Sequence, residues 1–228
     1  MATFVLIPGA GGSSWYWHRL VPLLVDGGHR AITPDLPAND PKARLRDYVT
    51  AVVERVDGED DFVVVGQSLG GLVAPSVAEQ IDARLLVMLV AMIPAPGESG
   101  AQWWDITGQS AAATEAAIAE GRNANIFEDP IGTFLHDLPP DVFAEALERP
   151  VEQTDGPFID LWPLELWPNV PTRVIAGRKD RLFPLAFMQQ LSRTRLGIEP
   201  DIIDTGHLPA LAQPDALARL LLGYLEAF

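Results

Sequence analysis

Apolar positions along this chain follow two alternating rhythms. Residues 3–7, 61–65 and 85–90 are short runs in which almost every position is apolar, as expected for parallel strands buried on both faces, and Val174-Ile175-Ala176 ends a further strand expected over 172–176. Shorter runs at 29–33 and 200–204 predict further strands. Between them lie stretches with helical spacing. Residues 42–56 place Leu45, Tyr48, Val49, Val52, Val53 and Val56 on one face. Further helices are expected over 15–25, 72–80, 184–193 and 214–227, the first closed by Gly27-Gly28. Strand followed by helix, repeated, predicts an α/β domain: a parallel sheet with right-handed crossovers and helices on both faces.

The rhythm breaks once. Residues 95–170 hold an alanine-rich helical stretch at 110–120, another at 140–148, and four tryptophans, Trp103, Trp104, Trp162 and Trp167. Helices without strands inside an α/β chain suggest a helical lid inserted into a single domain spanning 1–228. There is no internal repeat and no low-complexity linker.

Length and composition fit one domain with a full apolar core. Thirty-one acidic against sixteen basic residues leave a net charge of −15. So acidic a surface argues against nucleic-acid and anionic-membrane partners, which need Lys/Arg patches. The absence of cysteine excludes disulfides, thiol nucleophiles and thiolate metal sites. No His and carboxylate cluster has metal-ligand spacing, and Gly9-Ala10-Gly11-Gly12 lacks the third spaced glycine of a dinucleotide loop, so neither metal nor cofactor is expected. The N-terminus has no basic segment and only a short apolar run, so it reads as a strand rather than a signal peptide. With no run long enough to span a membrane, a cytoplasmic protein is expected. Self-association as a homodimer stays open.

The most chemically specific stretch is Asp61-Phe62-Val63-Val64-Val65-Gly66-Gln67-Ser68-Leu69-Gly70-Gly71. It reads as a strand, a sharp G-x-S-x-G turn and a helix start, a geometry that lifts a serine above the sheet edge. A Cβ at positions 66 or 70 would collide with the neighbouring strand or helix. The helix N-terminus beside Ser68 favours developing negative charge. Two other candidates follow predicted strands, Asp180 in Gly177-Arg178-Lys179-Asp180 and His207 in Thr205-Gly206-His207. In a parallel sheet all strand C-termini share one edge, so Ser68, Asp180 and His207 are expected together there. His207 would take the Ser68 proton as general base while Asp180 orients the imidazole. Two backbone N–H groups, of Leu69 and of Ala10 in the first glycine-rich turn, would form the oxyanion hole.

These motifs resemble the α/β-hydrolase fold along nearly the whole chain. Phe4-Val5-Leu6-Ile7-Pro8-Gly9-Ala10, with Trp15 and Trp17 behind it, Ser68-Leu69-Gly70-Gly71 and Val90-Ala91-Met92-Ile93-Pro94 are similar to the compact esterases related to plant methylesterases and hydroxynitrile lyases. The resemblance implies about six parallel strands, a Ser-Asp-His order of reacting residues, and hydrolysis of a small ester or related acyl compound through an acyl-enzyme. Pro8 and Gln67 stand where the family often carries histidines, which bears on loop geometry and pocket shape. The lyases' lysine beside the histidine and threonine in the oxyanion turn are not matched by Thr205-Gly206 and Gly9-Ala10. A lyase on the same residues and a non-catalytic small-molecule binder remain the rival readings.

Other residues admit plainer roles. His207 could cap the last loop, and Asp180 could pair with Arg178 or Arg181, with Asp201 and Asp204 as rival acids. Asp35, in Pro-Asp-Leu-Pro, suits a turn. His18, His29 and His136 read as structural or surface groups. Gly9, Gln67, Trp103, Trp104 and Trp162 are candidates for a substrate pocket, the tryptophans equally suited to lid packing.

Overall fold

The computed structural model describes residues 1–56, 58–149 and 152–226. Six strands, β1 (Thr3–Ile7), β2 (Arg30–Ile32), β3 (Phe62–Gln67), β4 (Leu85–Leu89), β5 (Thr172–Gly177) and β6 (Asp201–Ile203), pair in parallel in the order β2-β1-β3-β4-β5-β6. The helices are α1 (Val21–Asp26), α2 (Leu45–Arg55), α3 (Gly70–Gln80), α4 (Gly100–Ile106), α5 (Gln109–Ala119), α6 (Pro140–Leu147), α7 (Gly156–Ile159), α8 (Leu185–Leu196), α9 (Pro209–Ala212) and α10 (Pro214–Glu226). Among the described residues, a 3-10 turn at Ser14–Trp17 and a π turn at Ile131–Leu135 complete the regular structure.

Side chains alternate across the sheet and build a core on each face. Val5, Ile7, Val64, Leu86, Met88 and Val174 face α2, α3, α8 and Trp103. Phe4, Leu6, Val63, Val65, Leu85, Val87 and Ile175 face α1 and α10 through Leu24, Leu217 and Leu221. Burial on both sides explains why the central strands β1, β3 and β4 are apolar at almost every position rather than at every second one.

Strand order runs outward in both directions from the β1–β3 pair, which makes that pair the topological switch point. A crevice opens there at the carboxyl ends, because the connections leave to opposite sides. Ile7 lies beside Gly66 in register, so the Gly9-Ala10 turn and Ser68 leave the sheet side by side.

The helix expected over 15–25 is broken into the 3-10 turn and α1. Pro22 sits in the first turn of α1, where its ring fits; inside a continuous helix it would clash with the carbonyl four residues back. Helix α5 buries Gln109, Ala113 and Ala117, the stripe at every fourth residue of the alanine-rich stretch. The last helix runs from Pro214 to Glu226, and residue 227, expected at its end, lies outside the described residues. Helices α4, α7 and α9 and the π turn were not foreseen; all are seven residues or fewer, too short for a periodicity to register.

Between β4 and β5 the chain forms an insert of helices. Ser99 caps α4, accepting from the Gln102 amide at 3.2 Å while the Gln102 side chain accepts from the Ser99 amide at 2.9 Å. Arg195 of α8 pairs with buried Glu98 and donates to the Ile93 carbonyl, pinning the insert's first residues to the sheet domain. Among the described residues no helix is long and apolar enough to cross a membrane, and no three His, Cys, Asp or Glu side chains are grouped as a metal site.

Candidate active site

Ser68 occupies the turn between β3 and α3 with φ of +51°, a left-handed conformation costly to a residue with a Cβ. Three glycines allow this. A Cβ on Gly66 would lie 2.5 Å from Ala74 Cβ and 2.7 Å from the Gly70 carbonyl oxygen. A Cβ on Gly70 would lie 2.7 Å from the Pro8 oxygen, and one on Gly9 would reach 2.9 Å from Ser68 Cβ. The three backbones therefore approach more closely than side chains permit. The Ser68 carbonyl accepts from the Gly71 and Met92 amides, both at 3.0 Å. Reaching Met92 requires a sharp turn after β4, and Val90 takes it up with φ of +41°, a second strained residue beside the serine.

His207 follows β6 and is 2% exposed; its Nε2 lies 2.9 Å from Ser68 Oγ. Its Nδ1 lies 2.8 Å from Oδ2 of Asp180, which follows β5. The other Asp180 oxygen accepts the amides of Leu182 and Phe183, each at 2.9 Å. An ionised carboxylate only accepts, so the ring proton sits on Nδ1 and Nε2 is left as the acceptor facing the serine hydroxyl. The three sequence candidates thus form one hydrogen-bonded chain, buried except at the serine.

The competing aspartates are engaged elsewhere. Asp204 is exposed and pairs with Lys179 at 2.8 Å, while Asp201 accepts the Tyr224 hydroxyl at 2.5 Å. Asp35 accepts the Ser14 amide at 2.7 Å, a turn-forming contact. His18 meets the Trp15 carbonyl at 2.8 Å, and His29 accepts the Ala2 amide at 3.2 Å.

Among the described residues the amides of Ala10 and Leu69 donate to no protein acceptor, although Leu69 is buried. Leu69 directly precedes α3, so its amide carries the positive end of that helix. Unengaged amides on either side of a hydroxyl are suited to an oxygen that gains negative charge.

The pocket candidates separate. Gln67 is 3% exposed and donates from Nε2 to the His207 carbonyl at 3.0 Å, with Oε1 tucked against Gly9. It is a strut joining three loops rather than a wall open to substrate. Trp103 is fully buried and donates to the Ile93 carbonyl at 3.0 Å. Its ring packs on Phe183 at 5.3 Å, and half-buried Trp104 packs on the same phenylalanine at 6.0 Å. Trp162 donates to the Leu72 carbonyl of α3 and stacks on Trp167.

Two phenylalanines that sequence reasoning did not single out meet His207 edge-on, Phe183 at 5.0 Å and Phe134 at 5.6 Å. Phe183 lies three residues beyond Asp180, so its place on the active edge could have been inferred; Phe134 carries no such signal. Burial pushes the Tyr16 phenol far above its usual range, with the charges of Asp180 and Asp137 adding to it, and its oxygen faces the Ala210 amide. His136, expected as a surface or structural group, is pushed below its ordinary value by burial and by Arg181.

With this geometry in place, comparison with known families is decisive. The model of the alpha/beta hydrolase family matches residues 4–220. The chain belongs to that family. A carbendazim-hydrolyzing esterase of Nocardioides is 33% identical over 110 residues, covering 43% of this chain and 46% of the relative. Salicylic acid-binding protein 2 of Nicotiana tabacum is 31% identical over 103 residues, 40% of each chain. The matches thus span less than half the length of these curated relatives. The crystal structure of a pyrethroid hydrolase from Sphingobium faniae superposes with a TM-score of 0.75 at 21% identity, covering 99% of this chain and 98% of the other, a likeness of fold.

Proposed function

We propose that this hydrolase cleaves a small carboxylic ester or related acyl compound through an acyl-enzyme. The hydrogen-bonded chain from Asp180 through His207 to Ser68 carries the reading. Ser68 Oγ attacks the carbonyl carbon as His207 Nε2 takes its proton. The carbonyl π electrons move to oxygen, and the Ala10 and Leu69 amides receive the oxyanion. Collapse expels the alcohol, which takes its proton from Nε2 and leaves Ser68 acylated. Water, deprotonated by the same nitrogen, attacks the acyl group, and Ser68 departs with its proton restored. Asp180 stabilises the imidazolium in both halves without being protonated itself.

The names of the relatives, esterase and hydrolase, support the ester class. Phe134 and Phe183, edge-on to His207, suit an apolar or planar acyl portion. A cytoplasmic location, with a homodimer as the candidate assembly, belongs to the same proposal.

Exposure to a fluorophosphonate, followed by intact mass, with p-nitrophenyl acetate and butyrate assays beside it, tests the proposal. One adduct, lost in Ser68→Ala, together with ester turnover is the expected result. Turnover that survives Ser68→Ala removes the mechanism. Neither labelling nor turnover in folded protein favours a binding role instead.

A further inference from the structure

The insert reaches the active edge at two points outside the Ser68-His207-Asp180 chain. On its second limb, the Gln153 Oε1 accepts the Gly11 amide at 3.1 Å, while Nε2 donates to the Thr154 carbonyl at 2.8 Å and the Tyr48 hydroxyl at 2.9 Å. A carbonyl can only accept and an amide N–H can only donate, so these partners fix which way the side-chain amide faces. Tyr48 is itself fully buried in α2. The next residue ties down as well, with the Thr154 amide donating to the Ala38 carbonyl at 2.9 Å. Gln153 is therefore anchored in the domain and presents one acceptor to the turn that carries Ala10.

That turn needs an external hold. Gly11 and Gly12 are both left-handed, with φ of +87° and +59°, and contribute no side chain to stiffen the loop. Besides the bond within the turn, from Gly12 to the Gly9 carbonyl, its fixed points are the Leu36 amide on the Gly12 oxygen and Gln153 on the Gly11 amide.

On the first limb, Asp137 Oδ2 accepts the amide of Gly206 at 2.5 Å, one residue before His207. Asp137 and His136 lie so close over Gly206 that a Cβ there would sit 2.7 Å from Asp137 Oδ1 and 2.8 Å from His136 Cε1. Gln67 holds the His207 carbonyl from the sheet side. The His207 loop is thus gripped by the sheet below and by the insert above.

We propose that the insert is a two-point brace on the reacting groups: Gln153 positions the oxyanion turn through the Gly11 amide, and Asp137 positions His207 through the Gly206 amide. The proposal rests on the ester-hydrolase reading of the site. Each holds a group whose work is done in the transition state, the oxyanion turn or the general base, and neither touches the reacting atoms, so ground-state binding is left unchanged. Loss of either lowers kcat and kcat/KM together and leaves KM steady. Displacement of a positioned group by a fraction of an ångström corresponds to a loss of roughly ten-fold.

The test compares wild type with Gln153→Met, Asp137→Ala and Asp137→Asn in p-nitrophenyl ester kinetics, fluorophosphonate labelling rate, thermal unfolding, and hydrogen exchange of peptides covering 8–13 and 205–209. Gln153→Met and Asp137→Ala are each expected to lower kcat about ten-fold with KM within about two-fold. Asparagine keeps an acceptor for the Gly206 amide, so Asp137→Asn recovers most of the loss. Exchange rises at 8–13 only for Gln153→Met and at 205–209 only for Asp137→Ala. Tyr48→Phe, which keeps core volume and removes one anchor of Gln153, gives a smaller kcat loss and reads the same point if Gln153→Met does not fold. Unchanged kcat, a rise in KM alone, or Asp137→Asn as slow as Asp137→Ala overturns the brace. Absence of turnover and labelling in wild type instead overturns the hydrolase reading, and unchanged exchange in both peptides then overturns the brace by itself.

Discussion

Asp180→Asn gives the sharpest test of how this site works, because the structure dictates how the new amide must sit. One Asp180 oxygen accepts two backbone amides, from Leu182 and Phe183, and the other accepts His207 Nδ1. Asparagine has a single oxygen. Placed toward the two amides, it keeps two bonds and turns its NH2 group to the imidazole; flipped, it sets NH2 against two N–H donors in a buried site. The first arrangement is favoured by the cost of buried unsatisfied donors, about 1–3 kcal/mol each. An NH2 facing Nδ1 demands an acceptor there, so the ring proton moves to Nε2, and Nε2 loses the ability to take the Ser68 proton. The wrong tautomer in a triad costs about 10⁴-fold in kcat, or about 5 kcal/mol of transition-state stabilisation. Stability suffers less, since three neutral bonds replace three charge-assisted ones, a loss of about 2–3 kcal/mol. The assay is p-nitrophenyl ester turnover and fluorophosphonate labelling, each beside thermal unfolding. A folded variant that loses less than about ten-fold would refute the tautomer argument, whereas a stability collapse would show Asp180 to be chiefly a loop anchor.

Three further outcomes follow from the contacts around the site. Gly66→Ala places a methyl against Ala74 and the Gly70 carbonyl, and overpacking of about 1–3 kcal/mol should lower Tm by about 5–10 °C and slow turnover; an unchanged melting curve would mean the elbow can relax. Gln67→Leu strips the His207 carbonyl of its partner and should cost about 1–3 kcal/mol in urea denaturation; wild-type stability would show that the strut carries no load. His136, whose ring nitrogens are buried without partners among the described residues, is lowered from its ordinary value by burial first and by Arg181, against the opposing charges of Asp137 and Asp180. The unfolded chain takes up that proton more readily, so the stability contributed is complete above about pH 6.5 and is lost as pH falls below it. Denaturation at pH 7.5 and 5.0 should show a steeper loss for wild type than for His136→Gln, and equal slopes would remove His136 from the balance.

The sheet was legible because strands buried on both faces must be apolar at every position, as Val63-Val64-Val65 and Leu85-Leu86-Val87 are. The site residues were legible because each follows a strand in a parallel sheet, which fixes the edge they share. Less legible were features defined by contacts between distant segments. Gln67 looked like a pocket residue because it precedes the serine; in the structure its side chain turns inward and spans 140 positions to the His207 carbonyl. Phe134, Asp137 and Gln153 lie in a segment whose short helices carry no long periodicity, and nothing local marks them as neighbours of Gly206, His207 or Gly11.

By itself, the sequence determined what depends on local backbone geometry and strand period: the parallel α/β order, the glycines that let Ser68 take a left-handed turn, and the carboxyl edge where Ser68, Asp180 and His207 emerge. Only the tertiary structure decided which aspartate faces His207, which phenylalanines meet its ring, and where the insert grips the two loops. Those outcomes depend on side chains converging from segments far apart in the chain, and such convergence leaves no periodic trace along it.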